Sequence, residues 1–201
     1  MDAVTAAALP TAYVTAYRML RLADVTAGDL VFVPGATGGV GVAAVQLADA
    51  LGARTVGTSS SAEKLDRIAA LGADHTVQGT GPDELRAAVA DIGAPDAAIN
   101  HLGGPYTDLA LGLLRRGGRM AVCGRTAGRR SEIDIRELYV GQKRIVGSTM
   151  GTQSDLERLL SLVADGVLDP AIDGTYPLDA TGEAFAAMRD RDSVGKLVVT
   201  P

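Results

Sequence analysis

The sequence predicts an α/β fold built on a doubly wound parallel sheet, and three observations lead there. Short β-branched runs alternate with longer Ala- and Leu-rich stretches along most of the chain. The β-branched runs are continuously apolar, as in strands buried on both faces. The stretches between them read as helical crossovers, which force parallel pairing.

Taken in order, residues 10–23 read as a helix ahead of the first strand, 29–33 (DLVFV). A helix over 39–51, a strand over 54–58, a helix over 62–71 and a short strand over 75–77 follow. The helix over 82–91 opens with Pro82, Asp83 and Glu84. Proline in a first turn costs no hydrogen bond, and acidic groups there suit the helix dipole. Further strands are expected over 96–100, 119–123 and 143–147, with helices near 106–114 and 154–165. Beyond Pro170 come a Gly- and Pro-containing stretch, a helix over 181–189 and a terminal strand over 196–200. The chain thus divides into a leading helix (1–24), a main α/β unit (25–170) and a terminal segment (171–201).

Composition narrows the partners. Of 201 residues, 47% are hydrophobic and 21% charged, enough to build a core, and the net charge is −5. A nucleic-acid backbone or an anionic membrane calls for clustered positive charge, so neither is expected as a partner. A single cysteine, Cys123, forbids an internal disulfide and a cysteine-rich zinc site. No apolar run approaches the roughly 18 residues of a membrane span, and no charged-then-apolar signal opens the chain. A cytoplasmic protein acting on a small molecule is the resulting expectation.

The most informative segment is Val31-Phe32-Val33-Pro34-Gly35-Ala36-Thr37-Gly38-Gly39-Val40-Gly41. A strand runs into a glycine turn within which a helix begins. Gly38 lets the main chain approach a pyrophosphate, and Gly41 lets the helix pack closely on the strand. The N–H groups of the first helical turn then face the phosphates, where the dipole favours negative charge. The pattern G-x-G-x-x-G is met at Gly38 and Gly41, with Ala36 in the first position. Strand before, helix after and repeated α/β units downstream together indicate a Rossmann-type dinucleotide site; a bare tight turn is the alternative.

The second strand's end bears on which dinucleotide binds. NAD sites usually place Asp or Glu there for the ribose 2′-hydroxyl. This chain has Thr58-Ser59-Ser60-Ser61, with Lys64 one turn later. Hydroxyls and an ammonium suit a 2′-phosphate that a carboxylate would repel, so NADP(H) is expected, with Ser59, Ser60 and Lys64 as its partners. Ser60 or Ser61 can also serve as a helix N-cap.

Several motifs in order carry a family resemblance: GATGGVG (35–41), VAAVQLA (42–48), ALGA (50–53), GTSSSAEKL (57–65), LGAD (71–74), GGRMAVCG (117–124), IVGSTMGT (145–152) and GKLVV (195–199). Together they resemble the medium-chain dehydrogenase/reductases, in particular the zinc-free quinone oxidoreductase-like branch, over nearly the whole chain. The resemblance implies that these residues are the cofactor-binding half, normally preceded by a GroES-like catalytic domain. The terminal helix and strand would return to that domain, and the other half would otherwise come from a separate chain. It further implies that Thr37, Gly38, Gly39 and Val40 hold the pyrophosphate. Asn100, His101 and Leu102 would lie at the cofactor after the fourth strand. Cys123, Gly124 and Arg125 would lie near the nicotinamide, as would Met150 within 148–151 and Thr15 beside the ring. A homodimer joined edge to edge through the sheet is also implied.

Two departures qualify the match. Zinc-dependent members carry a Cys ligand where this chain has Thr11, and a neutral hydroxyl replaces a soft, charged ligand poorly, so no metal is expected. Gly79 stands where many quinone reductases place a Tyr against the adenine side.

Other constellations are weaker. Tyr139 and Lys143 spell the Y-x-x-x-K pair of short-chain dehydrogenases, with Thr126 upstream, but Gly141 interrupts them and Lys143 opens an expected strand. His75 and His101, the only histidines, lack a third ligand at metal spacing. Cys123 reads as a packing residue. The functional expectation is an NADPH-dependent oxidoreductase delivering hydride to a quinone, enone or related carbonyl compound, with no catalytic acid identified. Alternatives are a non-catalytic NADP(H)-binding or oligomerising module and an alcohol dehydrogenase of the same superfamily.

Overall fold

The computed structural model describes residues 1–201. The chain opens with α1 (Ala3–Ala8), a π-helical turn (Leu9–Tyr13) and α2 (Val14–Leu22). Then follow β1 (Leu30–Val33), α3 (Gly39–Ala50), β2 (Arg54–Ser59), α4 (Ala62–Ala70), β3 (His75–Gln78) and α5 (Pro82–Ile92). Next come β4 (Ala97–Asn100), α6 (Pro105–Leu113), β5 (Arg119–Val122), α7 (Ile135–Val140), β6 (Arg144–Gly147) and α8 (Gln153–Ala164). The last elements are β7 (Ile172–Pro177), a 3₁₀ turn (Leu178–Ala180), α9 (Thr181–Asp190) and β8 (Lys196–Thr200).

Six strands form one parallel sheet in the order β3-β2-β1-β4-β5-β6. This is the doubly wound, Rossmann-type arrangement, whose strand order reverses between β1 and β4. Alternation along β1 shows how both faces are covered. Val31 and Val33 belong to a buried cluster of 27 residues shared with α2 and α3. Leu30 and Phe32 belong to a second cluster of 13, built with α5 and α6. Successive side chains point to opposite faces, so one short apolar run serves two cores.

The start of the chain departs from the single helix expected over 10–23. Pro10 is extended (ψ 150°), and Thr11 takes φ 68° and ψ −71°, breaking the helix. A β-branched residue at positive φ is strained. Tyr13, fully buried after that break, donates its hydroxyl proton to Gln46 and accepts from the Ala171 amide at 2.7 Å. Burial pushes the phenol up to about 12, beyond any ordinary pH. On the next helix, Arg21 Nη1 donates to Asp155 at 2.8 Å, which Thr152 also holds through its amide and hydroxyl, both at 2.9 Å. Burial raises the Asp155 pKa, but these hydrogen bonds outweigh it and hold the carboxyl below its usual range. Asp155 thereby locks α8 to α2.

Residues 171–177 are more ordered than their Gly and Pro content predicts. β7 pairs in parallel with β8 to make a separate two-stranded sheet. Helix α7 is likewise an element that the sequence reading lacked.

The approach of α3 to β1 is the tightest constraint on the site. A Cβ at Gly41 would lie 2.5 Å from the Gly35 carbonyl oxygen and 2.7 Å from Ala36 Cα. At Gly38 it would meet nothing nearer than 3.9 Å. Gly41→Ala should therefore lower stability by about 3 kcal/mol, measured by urea unfolding, through backbone displacement. Gly38→Ala should cost less than about 1 kcal/mol, the loss of a good N-cap.

Candidate functional site

The turn after β1 is tied to β2 before any ligand is considered. The Ala36 amide donates to the Thr58 carbonyl at 2.9 Å, and the Gly35 amide to Thr58 Oγ1 at 3.1 Å. No side chain caps α3 at its Gly38 N-cap. Its first-turn amides are thus left for another acceptor. They border a cavity of about 490 Å³ at the carboxyl edge of the large sheet, where ligands of open α/β sheets sit.

Of the residues expected from sequence, Thr37, Gly38, Gly39, Ser59, Ser60, Lys64, His101 and Leu102 line this cavity. Its charged lining consists of Lys64, Arg191 and Lys196, with no carboxylate. That donor set, beside an uncapped glycine turn, fits a ligand carrying several phosphates. The residues that cap and coordinate elsewhere are equally informative. Ser61 is the N-cap of α4, accepting from the Lys64 amide. The Lys64 ammonium donates to the Arg191 carbonyl and lies 4.0 Å from the exposed Asp192 carboxylate.

The remaining expected residues lie outside this lining. Asn100 is fully buried and shapes the turn after β4. Its Oδ1 accepts from the amides of Leu102 at 3.1 Å and Gly103 at 3.0 Å, and its Nδ2 donates to Thr107. Val40 packs against the larger core. Thr15 is buried, with its hydroxyl 3.9 Å from the sulfur of Met150, so those two meet. Cys123 is half-buried, its sulfur 3.3 Å from Met19 Sδ, and burial pushes its thiol up, as suits a packing residue. Gly124 and Arg125 are exposed beyond β5.

Sequence reasoning missed Arg191, Ser193, Lys196 and Leu197, which line the same cavity. The Gly195 amide donates to the Thr37 carbonyl at 3.1 Å, and the Lys196 stem lies against Gly39. GKLVV was visible as a motif, but read only as a terminal strand its lysine had no site to join. Thr80, Tyr106 and Thr126 were missed in the same way.

Tyr139 and Lys143 do not form a catalytic pair. Tyr139 is exposed, while the Lys143 ammonium donates to the Leu111 carbonyl and Glu137, both at 2.7 Å. No three His, Cys, Asp or Glu side chains come together as a metal site. Thr11 is exposed at its strained turn. No helix is long and apolar enough to cross a membrane.

A family model described as zinc-binding dehydrogenase matches residues 39–165. The chain belongs to that family of medium-chain dehydrogenase/reductases. It is 36% identical over 189 residues to an acryloyl-coenzyme A reductase of Sulfurisphaera tokodaii, covering 92% of this chain and 55% of that protein. A 2-octenoyl-CoA carboxylase reductase, solved with NADP and 2-octenoyl-CoA, superposes with a TM-score of 0.91 at 30% identity. That match covers 98% of this chain and 50% of the other. A thermostable alcohol dehydrogenase from Pyrobaculum aerophilum superposes at 0.88 with 32% identity, over 100% of this chain and 59% of its own. The chain therefore spans between 50% and 59% of the length of these three relatives.

His101 gives the site a pH signature. Its Nδ1 is buried without a hydrogen-bond partner. Burial pushes the imidazole down to about 4, against the opposing pull of the Ile99 and Gly35 carbonyls. An unfolded histidine titrates near 6.5, so the unfolded chain takes up a proton that the folded chain refuses. The stability due to neutral His101 should be complete above pH 6.5 and fall by about 3 kcal/mol as pH drops to 4. Chemical denaturation across this window should show the loss, and His101→Gln should flatten it. The lowered carboxyls of Asp2, Asp96 and Asp155 begin to lose their stabilisation only below about pH 5, so the upper part of the window reports His101 alone among the shifted groups.

Proposed function

We propose that the chain holds NADPH for an oxidoreductase that reduces a carbon–carbon double bond conjugated to a carbonyl, as in a quinone, an enone or an enoyl thioester. The observation that carries this reading is the cavity lining: three cations and no carboxylate, set against an uncapped glycine turn. Amides from Thr37 to Val40 bind the pyrophosphate, while Ser59, Ser60, Lys64 and Arg191 bind the 2′-phosphate. A carboxylate at the end of β2 would favour a free ribose hydroxyl; Ser59 stands there instead. Leu102 and His101 line the floor beneath the glycine turn. Cys123, Gly124 and Arg125 after β5, with Thr15 and Met150 in contact, take the nicotinamide side.

Bound there, the cofactor supplies the hydride, and the protein contributes binding, orientation and exclusion of water. His101 stays neutral down to about pH 4, so it is not an imidazolium acid at neutral pH. The acryloyl-coenzyme A reductase and the NADP-bound 2-octenoyl-CoA enzyme among the relatives favour an enoyl thioester within this substrate class. The likeness to an alcohol dehydrogenase supports a second reading, alcohol oxidation. NADPH oxidation with acryloyl-CoA, a quinone and an enone, set against NADP⁺ reduction by alcohols, separates them. Binding without turnover in either direction would leave a cofactor-binding module.

The second sheet is proposed to dock against a GroES-like half, within one polypeptide or from another. Leu178, Phe185, Met188 and Val199 are exposed on and around it. The outer edge of β6 is unpaired in the large sheet, and we propose that two copies join there.

Two outcomes follow. Lys64→Ala and Arg191→Ala should each weaken NADPH binding about tenfold to a hundredfold and leave NADH nearly unchanged, as lost charge-assisted contacts. Calorimetry checks this, and tighter binding of NADH than NADPH by the parent chain would refute the phosphate assignment. Light scattering should find a dimer that Gly147→Pro converts to a monomer: the Arg144 and Ser148 amides donate to β5, so by alternation the Gly147 amide faces the outer edge, and proline removes that donor.

A further inference from the structure

We propose that Tyr106 forms the adenine-facing wall of the cavity, an inference that rests on the cofactor reading above. A nucleotide needs a flat apolar surface for its base as well as partners for its phosphates, and any base can stack on an aromatic ring. Among the twenty residues around the cavity the apolar ones are Leu102, Tyr106, Met188 and Leu197, and only Tyr106 is aromatic. It borders the cavity with Ser59 and Ser60 at the end of β2 and with Gly79 and Thr80 beyond β3. The cations assigned to the 2′-phosphate, Lys64 and Arg191, line the same space.

The ring is held in place before any ligand arrives. Its hydroxyl donates to the Thr80 carbonyl at 2.9 Å, and its body packs against the smaller core cluster. The backbone that carries it is equally constrained. Gly103 and Gly104 take φ 70° and 52°, and a Cβ at Gly104 would lie 2.5 Å from the Ala127 carbonyl oxygen. Helix α6 therefore leaves the turn after β4 in one direction. A side chain with two rotatable dihedrals, tethered at both ends, loses little freedom on binding. The end of β3 offers no competing wall, because a Cβ at Gly79 would lie 2.9 Å from Glu84 Oε2 and 3.0 Å from Leu85 Cδ2. The stacking surface thus comes from α6, in the same lining as the cations.

The test uses the full chain and 2′,5′-ADP, the phosphorylated adenosine half of the cofactor, titrated calorimetrically beside NADPH. Tyr106→Leu should weaken 2′,5′-ADP binding about tenfold, whereas Tyr106→Phe, which keeps the ring, should stay within about threefold. The chain has no Trp and five Tyr, so tyrosine emission is a second readout. The ligand should quench that emission in the parent, and most of the ligand-dependent change should vanish in Tyr106→Phe. This arm relies on a variant that preserves the core packing, and it decides the matter if Tyr106→Leu does not fold. Unaltered 2′,5′-ADP affinity in Tyr106→Leu, or quenching that survives Tyr106→Phe, overturns the role of Tyr106 and leaves the cofactor reading standing. A folded parent chain that binds neither 2′,5′-ADP nor NADPH overturns both.

Discussion

The contact between Gly41 and the main chain of Gly35 and Ala36 sets the spacing of α3 from β1, and the rest of the site is built around that spacing. With the helix this close, its N-terminus opens directly above the end of the strand, and its amides border the cavity without a capping side chain. The same closeness leaves room for Thr58 to take two hydrogen bonds from the turn, which fastens β2 beside it. Ser59 and the helix carrying Lys64 are positioned in consequence. A chain of short-range constraints therefore runs from one missing Cβ to the Lys64 ammonium in the cavity lining.

A second set of constraints comes from parts of the chain far apart in sequence. Tyr13, Gln46 and Ala171 join the strained N-terminal turn to α3 and to the entrance of the second sheet. Asp155 joins α2 to α8 with its charge fully paired by arginine and threonine. A buried carboxylate is tolerable only when its desolvation is offset in this way. With the bond from Gly195 to Thr37, these ties place the C-terminal segment over the glycine turn, which is why Lys64 shares one cavity with Arg191 and Lys196, more than 120 residues further on.

Most of the large sheet was legible because its strands are buried on both faces, and such strands declare themselves as apolar runs. β7 was not, since Ile172–Pro177 is half exposed and gains its order from the ladder with β8. The break at Thr11 was hidden for a related reason: the apolar spacing of residues 10–23 suits a helix, and the buried Tyr13 contacts override it. In the site, the glycine turn and the serines could be read because they are local and their spacing has a chemical meaning. Arg191 and Lys196 had no such spacing, and only the closure of the second sheet brings them in. Asn100 illustrates the opposite case, a polar residue at the expected strand end whose hydrogen bonds are all spent on the turn it supports.

The hydrogen bond from Gly195 to Thr37 ties the loop before β8 to the same peptide segment that borders the cavity. Occupancy of the cavity and the seating of that loop are therefore thermodynamically linked. A partner that grips the second sheet and holds the loop in the seat the ligand prefers tightens the ligand by some factor, and the ligand strengthens that grip by the same factor. Assembly on the second sheet and loading of the cavity that its own loop helps to line then become two readings of a single equilibrium.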